Sequence, residues 1–136
     1  MAADKNVAIV RRTLEAFNRG EAERSLESFH PDVEWEVSPE LVPDADIYRG
    51  RDGVRAFWSE WQEAFEGFRL EIEDCVDLDD GQVLALTRAL GVGAGSRAAV
   101  GSARFAQVYE MRDDVIVRVR LFPSRSAAIG ATRTAD

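Results

Sequence analysis

Residues Ala98 to Arg125 read AAVGSARFAQVYEMRDDVIVRVRLFPSR, two long alternating runs joined at Arg112-Asp113-Asp114. Alternation over that length has the period of a half-buried strand, and paired aspartates between two such runs signal a turn. The stretch therefore predicts a β-hairpin in the middle of a strongly curved sheet, whose concave face the earlier helices must cover. One face of its first run carries Ala99, Gly101, Ala103, Phe105, Gln107, Tyr109 and Met111. Gln107 is the lone amide in that apolar and aromatic row. Left unpaired inside a protein wall it would cost ~1–3 kcal/mol, so it needs a partner. Either it bonds backbone or another side chain, or it orients the carbonyl or hydroxyl of a ligand.

Helical spacing marks the covering elements. Val7, Val10, Leu14 and Phe17 share a face of a helix from about Lys5 to Arg19, with Asp4 as N-cap and Gly20 free to take the left-handed stop. A short second helix buries Ala22, Leu26 and Phe29 and ends at His30-Pro31. Val33, Trp35 and Val37 alternate with Glu34 and Glu36 as a first strand, and Ser38 to Gly50 reads as a loop at the lip of a pocket. Asp52 then caps a helix striped by Val54, Phe57, Trp58, Trp61 and Phe65 that ends at Gly67.

After Gly67 the period changes to two. Phe68, Leu70, Ile72, Val76 and Leu78 share one parity, which Asp74 interrupts. A bulge at Asp74-Cys75 would turn the carboxylate to solvent. Pointing inward instead, Asp74 would be the leading general base, with a pKa raised by desolvation. Asp79-Asp80-Gly81 is a turn. The strand from Gln82 to Gly91 is apolar on both faces, so both should be covered. Gly91 to Ser96 links it to the hairpin as a glycine-rich tip, and a C-terminal helix runs from about Ser124 to Ala131. Helices first and an antiparallel meander after them argue an α+β architecture in one domain spanning the 136 residues.

Composition narrows the partners. With 17 basic and 25 acidic residues the net charge is −8, which lacks the positive footprint that nucleic acid or an anionic membrane requires. One cysteine cannot form an internal disulfide, and one histidine and one cysteine make a soft-ligand metal site improbable. No apolar run approaches the ~18–20 residues of a membrane span, and the N-terminus has no signal-peptide pattern. A cytoplasmic protein without a cofactor is the expectation.

The order of elements, with AFNRG at Ala16 to Gly20, then FHPDVEWEV, YRGRDGVRAFW and VYEMRDDVIVRVRLF, resembles the SnoaL-like and ketosteroid isomerase-like branch of the nuclear transport factor 2-like superfamily. That resemblance implies a cone, a curved mixed sheet wrapped around helices with a pocket at its open end, and a homodimer through the convex sheet face. Activities on this fold include isomerases, polyketide cyclases, dehydratases, epoxide hydrolases and binding modules, so fold alone does not choose among them.

The resemblance can be carried over residue by residue. Without gaps, the isomerase base falls on Val37, its tyrosine on Thr13 and its oxyanion acid on Gln107. Valine and threonine cannot move the proton, but Gln107 can still donate a hydrogen bond. The epoxide hydrolase set falls on Thr87, Ala89 and Leu121, and Leu121 also occupies the cyclase aspartate position. The dehydratase histidine has only His30 to match it, in a turn. The expected ligand-binding residues are therefore Gln107, Tyr109, Trp35, Phe105, Met111, Tyr48, Val37 and Thr13, around a small, mostly apolar molecule. Helical spacing favours ordinary core for Trp58 and Trp61. An isomerase, cyclase or hydrolase would have to draw on Asp74 or on Glu40, Asp44 or Asp46; a dimeric scaffold is the third reading. Strand register decides whether Arg88, Arg104, Arg118 and Arg120 face outward, as the Asp113-Asp114 turn favours for the last two, or into the pocket.

Overall fold

A computed structural model describes residues 2–39, 47–93 and 103–134. Helix α1 (Ala2–Asn18) buries Val10, Leu14 and Phe17, as its spacing requires, together with Ile9, Thr13 and Ala16. It starts earlier than expected, so Asp4 lies in its first turn rather than capping it. Its end is a Schellman stop: Gly20 has φ +80°, its N–H donates to Phe17, and the Glu21 N–H donates to Ala16.

Helix α2 is one turn and a half, Ala22–Leu26, and strand β1 already begins at Phe29 and runs to Val37. Phe29, His30 and Pro31 are thus strand, where a helix end was expected. Proline is tolerated there because the pairing of β1 with its neighbour is interrupted between Phe29 and Glu34, so no ladder bond needs the missing N–H. Arg51 donates from Nε and Nη2 to the Phe29 carbonyl at 2.9 and 2.7 Å, and the Asp32 N–H bonds His30 Nδ1 at 2.9 Å.

Strand β2 (Ile47–Arg49) sits inside the expected loop, too short for alternation to reveal it. Residues 40–46 lie outside the described part, and with them Glu40, Asp44 and Asp46. Helix α3 (Gly50–Ala64) has Arg49, not Asp52, at its N-cap position; Asp52 lies in the first turn, paired with Arg55. It stops before Phe65, which opens strand β3 (Phe65–Asp77), because pairing of Phe65 with Gly93 and Glu66 with Val92 claims those residues for the sheet. Gly67, expected to end the helix, has φ +65° within an irregular stretch of that pairing.

Strands β4 (Gln82–Gly93), β5 (Ala103–Arg112) and β6 (Val115–Phe122) complete one six-stranded sheet in the order β2-β1-β6-β5-β4-β3. All pairs are antiparallel except β1 with β6. The sheet is mixed, curved and unclosed, and with α1 and α3 against its concave side the architecture is α+β. The Asp113-Asp114 turn has both residues at positive φ, 53° and 67°, the geometry a two-residue hairpin needs. Residues 94–102 are outside the described part, so most of the glycine-rich tip, Ala99 and Gly101 are too.

Register settles the two faces. Inward go Val33, Trp35 and Val37 of β1, Val83, Ala85 and Ala89 of β4, Tyr109 and Met111 of β5, and Val119 and Leu121 of β6. Pairing on β3 steps from Ile72↔Thr87 to Asp74↔Leu86, so Glu73 is the extra residue of a bulge, one position before the expected one. The bulge sends Cys75 into the main core and leaves Asp74 on the convex side, where it accepts from the Cys75 N–H at 2.9 Å. Asp74 therefore does not point inward as a general base.

Arg88, Arg104, Arg118 and Arg120 all stand on the convex face. Arg88 and Arg104 bond Glu73, and Arg118 bonds Glu36 at 2.6 Å. The second apolar face of β4 is covered from within the chain. Helix α4 (Arg125–Thr134), its Ala127 N–H bonded to Ser124 Oγ, packs Ala128 on Leu84, Ala106, Val108 and Phe122.

Candidate functional site

Inward-facing side chains from six elements converge on one apolar cavity. Helix α3 contributes Phe57, Trp58 and Trp61, and α1 contributes Phe17. The sheet contributes Trp35 and Val37 of β1, Phe68 and Leu70 of β3, Phe105 and Gln107 of β5, and Leu121 of β6. Val37 pairs with Leu121 and Leu121 with Gln107, so these three lie in one row across the concave face.

The aromatic rings touch one another as much as the space they surround. Trp35 meets Trp58 edge-on at 6.0 Å and Phe57 at 5.3 Å, while Phe17 lies 4.9 Å from Trp58. Trp61 contacts Phe68 at 5.7 Å and Phe105 at 6.3 Å. The cleft holds about 460 Å³ counted out to its mouth, but only about 30 Å³ is wide enough for the centre of a water molecule. The interior is a narrow slot between rings.

Polar groups are few and defined. Gln107 is 2% exposed, and its only hydrogen bond among the described residues is made by Oε1, which accepts from the Tyr109 hydroxyl at 2.6 Å. Its Nε2 keeps two hydrogens without a protein acceptor. The Trp35 Nε1–H is fully buried without a partner, as is the Thr87 hydroxyl on β4. Tyr109 is fully buried, which pushes its phenol far above the ordinary value and keeps it protonated. Among the described residues no ionisable side chain lines the cavity, and no three His, Cys, Asp or Glu side chains come together as a metal would need.

The expected ligand-binding residues divide on this geometry. Gln107, Phe105, Trp35 and Val37 line the cavity. Tyr109 and Met111 face inward from the same strand but lie in the core away from the slot, with Tyr109 behind Gln107. Thr13 also stands away from it, its hydroxyl spent on the Ile9 carbonyl at 2.7 Å. Tyr48 packs on the Phe57 ring at 5.1 Å and its hydroxyl bonds Glu60 at 3.3 Å, so it supports the wall from outside. Trp58 and Trp61 are packing residues and lining residues at once. Phe17, Phe57, Phe68 and Leu70 line the cavity without having been expected to; the helical stripes of the first two and the parity of the last two on β3 ahead of the bulge were the signals. Leu121 carried a signal too, since family alignment places it at a cyclase aspartate position.

A mixed, curved and unclosed sheet packed on N-terminal helices is the fold of nuclear transport factor 2-like structures. The model of the SnoaL-like domain family matches residues 10–119, and the chain belongs to that family. An uncharacterized protein of Mycobacterium tuberculosis is 32% identical over 120 residues, covering 88% of this chain and 82% of its own length. Among solved structures, Bal32a from a soil-derived mobile gene cassette superposes with a TM-score of 0.78 at 23% identity, covering 90% of this chain and 91% of that one. A nuclear transport factor 2-like protein of unknown function from Burkholderia pseudomallei gives 0.75 at 19% identity, over 93% and 95% of the two chains. These likenesses establish the fold.

Proposed function

We propose that this SnoaL-like protein binds a small, flat, mostly apolar molecule in the cone, with an acceptor oxygen of the ligand taking a hydrogen bond from Gln107. The observation that carries the reading is the Gln107 amide, buried in an aromatic wall with its Nε2–H2 unused. A donor that lines an apolar cavity without a protein acceptor is available to a ligand carbonyl, while the rings supply the apolar contact. Among the described residues the slot's lining is apolar and non-ionisable, which supports binding over acid–base chemistry.

A thermal-shift screen of bicyclic ketones and lactones against their hydrocarbon counterparts tests this. Binding to the native state alone should raise the melting temperature with concentration. Gln107→Leu should abolish the advantage of the carbonyl compounds and spare the hydrocarbons. Equal response of both proteins to both series would overturn the reading.

One observation favours a second reading, an isomerase, cyclase or hydrolase. The chain leaves the cavity wall at Val37, and Glu40, Asp44 and Asp46 follow closely in sequence. A catalytic acid from that segment would give turnover with a pH profile that Glu40→Gln, Asp44→Asn or Asp46→Asn removes.

A further inference from the structure

Gln107 carries both kinds of polar atom, so what the cavity reads depends on which end of the amide faces it. We infer that Tyr109 is a positioning residue that holds the Gln107 amide with its N–H2 toward the slot, making the cavity selective for hydrogen-bond acceptors over donors. This inference rests on the binding reading above and deepens it.

The argument is one of hydrogen-bond accounting. Gln107 and Tyr109 are two apart on β5, so both project inward, and the long phenol reaches back along the strand to Oε1 at 2.6 Å. Tyr109 is 1% exposed, and among the described residues this is the only hydrogen bond its hydroxyl makes. A phenol keeps its proton in such a place, since burial raises its pKa. That proton must be given to an acceptor. Turning the amide over would set N–H2 against the hydroxyl and leave the phenolic proton buried with nothing to receive it. The observed orientation satisfies Tyr109 completely and leaves the unmet hydrogens on Gln107, which lines the cavity, rather than on Tyr109, which does not. The unpartnered Trp35 Nε1–H on the same wall adds a second buried donor and no acceptor. Every free polar hydrogen on this wall therefore asks for an acceptor, while the amide oxygen of Gln107 is turned to Tyr109 and away from a ligand's N–H.

Three bicyclic probes of similar size separate the possibilities: 1-indanone offers an acceptor, indole an N–H donor, and indene neither. Their binding is followed by side-chain chemical shifts of wild type and Tyr109→Phe. In wild type, 1-indanone should bind about fivefold or more tighter than indole, the worth of one net hydrogen bond. Tyr109→Phe frees the amide to rotate, so indole should gain and the two should come within about twofold. A wild-type preference that survives intact in folded Tyr109→Phe overturns the inference.

If none of the three binds, the cavity reading fails, and the free protein still decides the positioning. The Gln107 side-chain amide protons should show through-space contacts to Leu121 and Phe105, with the Tyr109 hydroxyl proton in slow exchange. Strongest contacts from those amide protons to the Tyr109 ring would instead mean that the amide is turned over.

Discussion

Asn18 grips Leu70 by both of its backbone groups, donating from Nδ2 to the carbonyl at 2.7 Å and accepting the N–H on Oδ1 at 2.8 Å. The last residue of α1 thus stands in for a neighbouring strand beside β3, which is an edge of the sheet. It also sets where Leu70 enters the cavity wall. Asn18→Ala leaves two part-buried backbone groups without protein partners. A loss of about 2 kcal/mol is expected from urea denaturation, together with weaker binding of any cavity ligand. Asn18→Asp, which keeps the acceptor and loses the donor, should fall between.

Thr87 presents the opposite case. Its side chain is fully buried on β4 and its hydroxyl has no partner. Thr87→Val removes the unmet polar group at nearly constant shape on a strand that suits valine. A gain of about 1 kcal/mol is expected, read as a higher melting temperature. A loss instead would show that an ordered water or a ligand uses the hydroxyl.

Stability should erode at alkaline pH through two buried acids. Burial pushes the Cys75 thiol above its ordinary value of 9.0, an effect Arg11 partly offsets, and pushes the Tyr109 phenol far above 10.0. As pH rises the unfolded chain gives up each proton first, so it binds fewer protons than the native state and stability falls. The contribution is whole below about pH 9, drains first through Cys75 and then, above about pH 10, through Tyr109. Urea midpoints measured across that range should decline, and Tyr109→Phe should flatten the upper part of the decline while Cys75→Ala flattens the lower.

A homodimer through the convex face, the arrangement that family resemblance implies, would meet a polar surface here. Helix α4 already covers Leu84, Val108 and Phe122, and the only large hydrophobic residue exposed among the described residues is Ile47 on β2. What the face offers is charge: Glu73 between Arg88 and Arg104, and Glu36 with Arg118 and Arg120 beside it. We expect association held by ion pairs, weakening as salt rises from about 50 to 500 mM in sedimentation experiments. Dimerisation insensitive to salt would point to displacement of α4.

The hairpin was the most legible part of the chain because its turn is unambiguous. Asp113 and Asp114 set the parity of β5, and with it the inward placement of Phe105, Gln107, Tyr109 and Met111. Local signals failed where tertiary pairing overrode them. Phe29 has helical spacing from Leu26 but is claimed by pairing with Ile116, and Phe65 continues the α3 stripe yet pairs with Gly93. Ile47–Arg49 is too short to show a period. The narrowness of the slot was not legible at all. Periodicity says which way an aromatic side chain points, whereas the free space depends on how Trp58, Trp61 and Phe105 tilt against one another.

The bulge at Glu73 separates two properties that a strand ordinarily ties together. Ile72 and Asp74 pair with consecutive residues of β4, so removing Glu73 would restore a regular ladder and leave every flanking side chain on the face it now occupies. Only the local bend would go, along with the carboxylate between Arg88 and Arg104. The gauge of the cone is thereby adjustable without rewriting its contents. A single codon gained or lost at this point would widen or pinch the slot while the same rings and the same amide continue to face it.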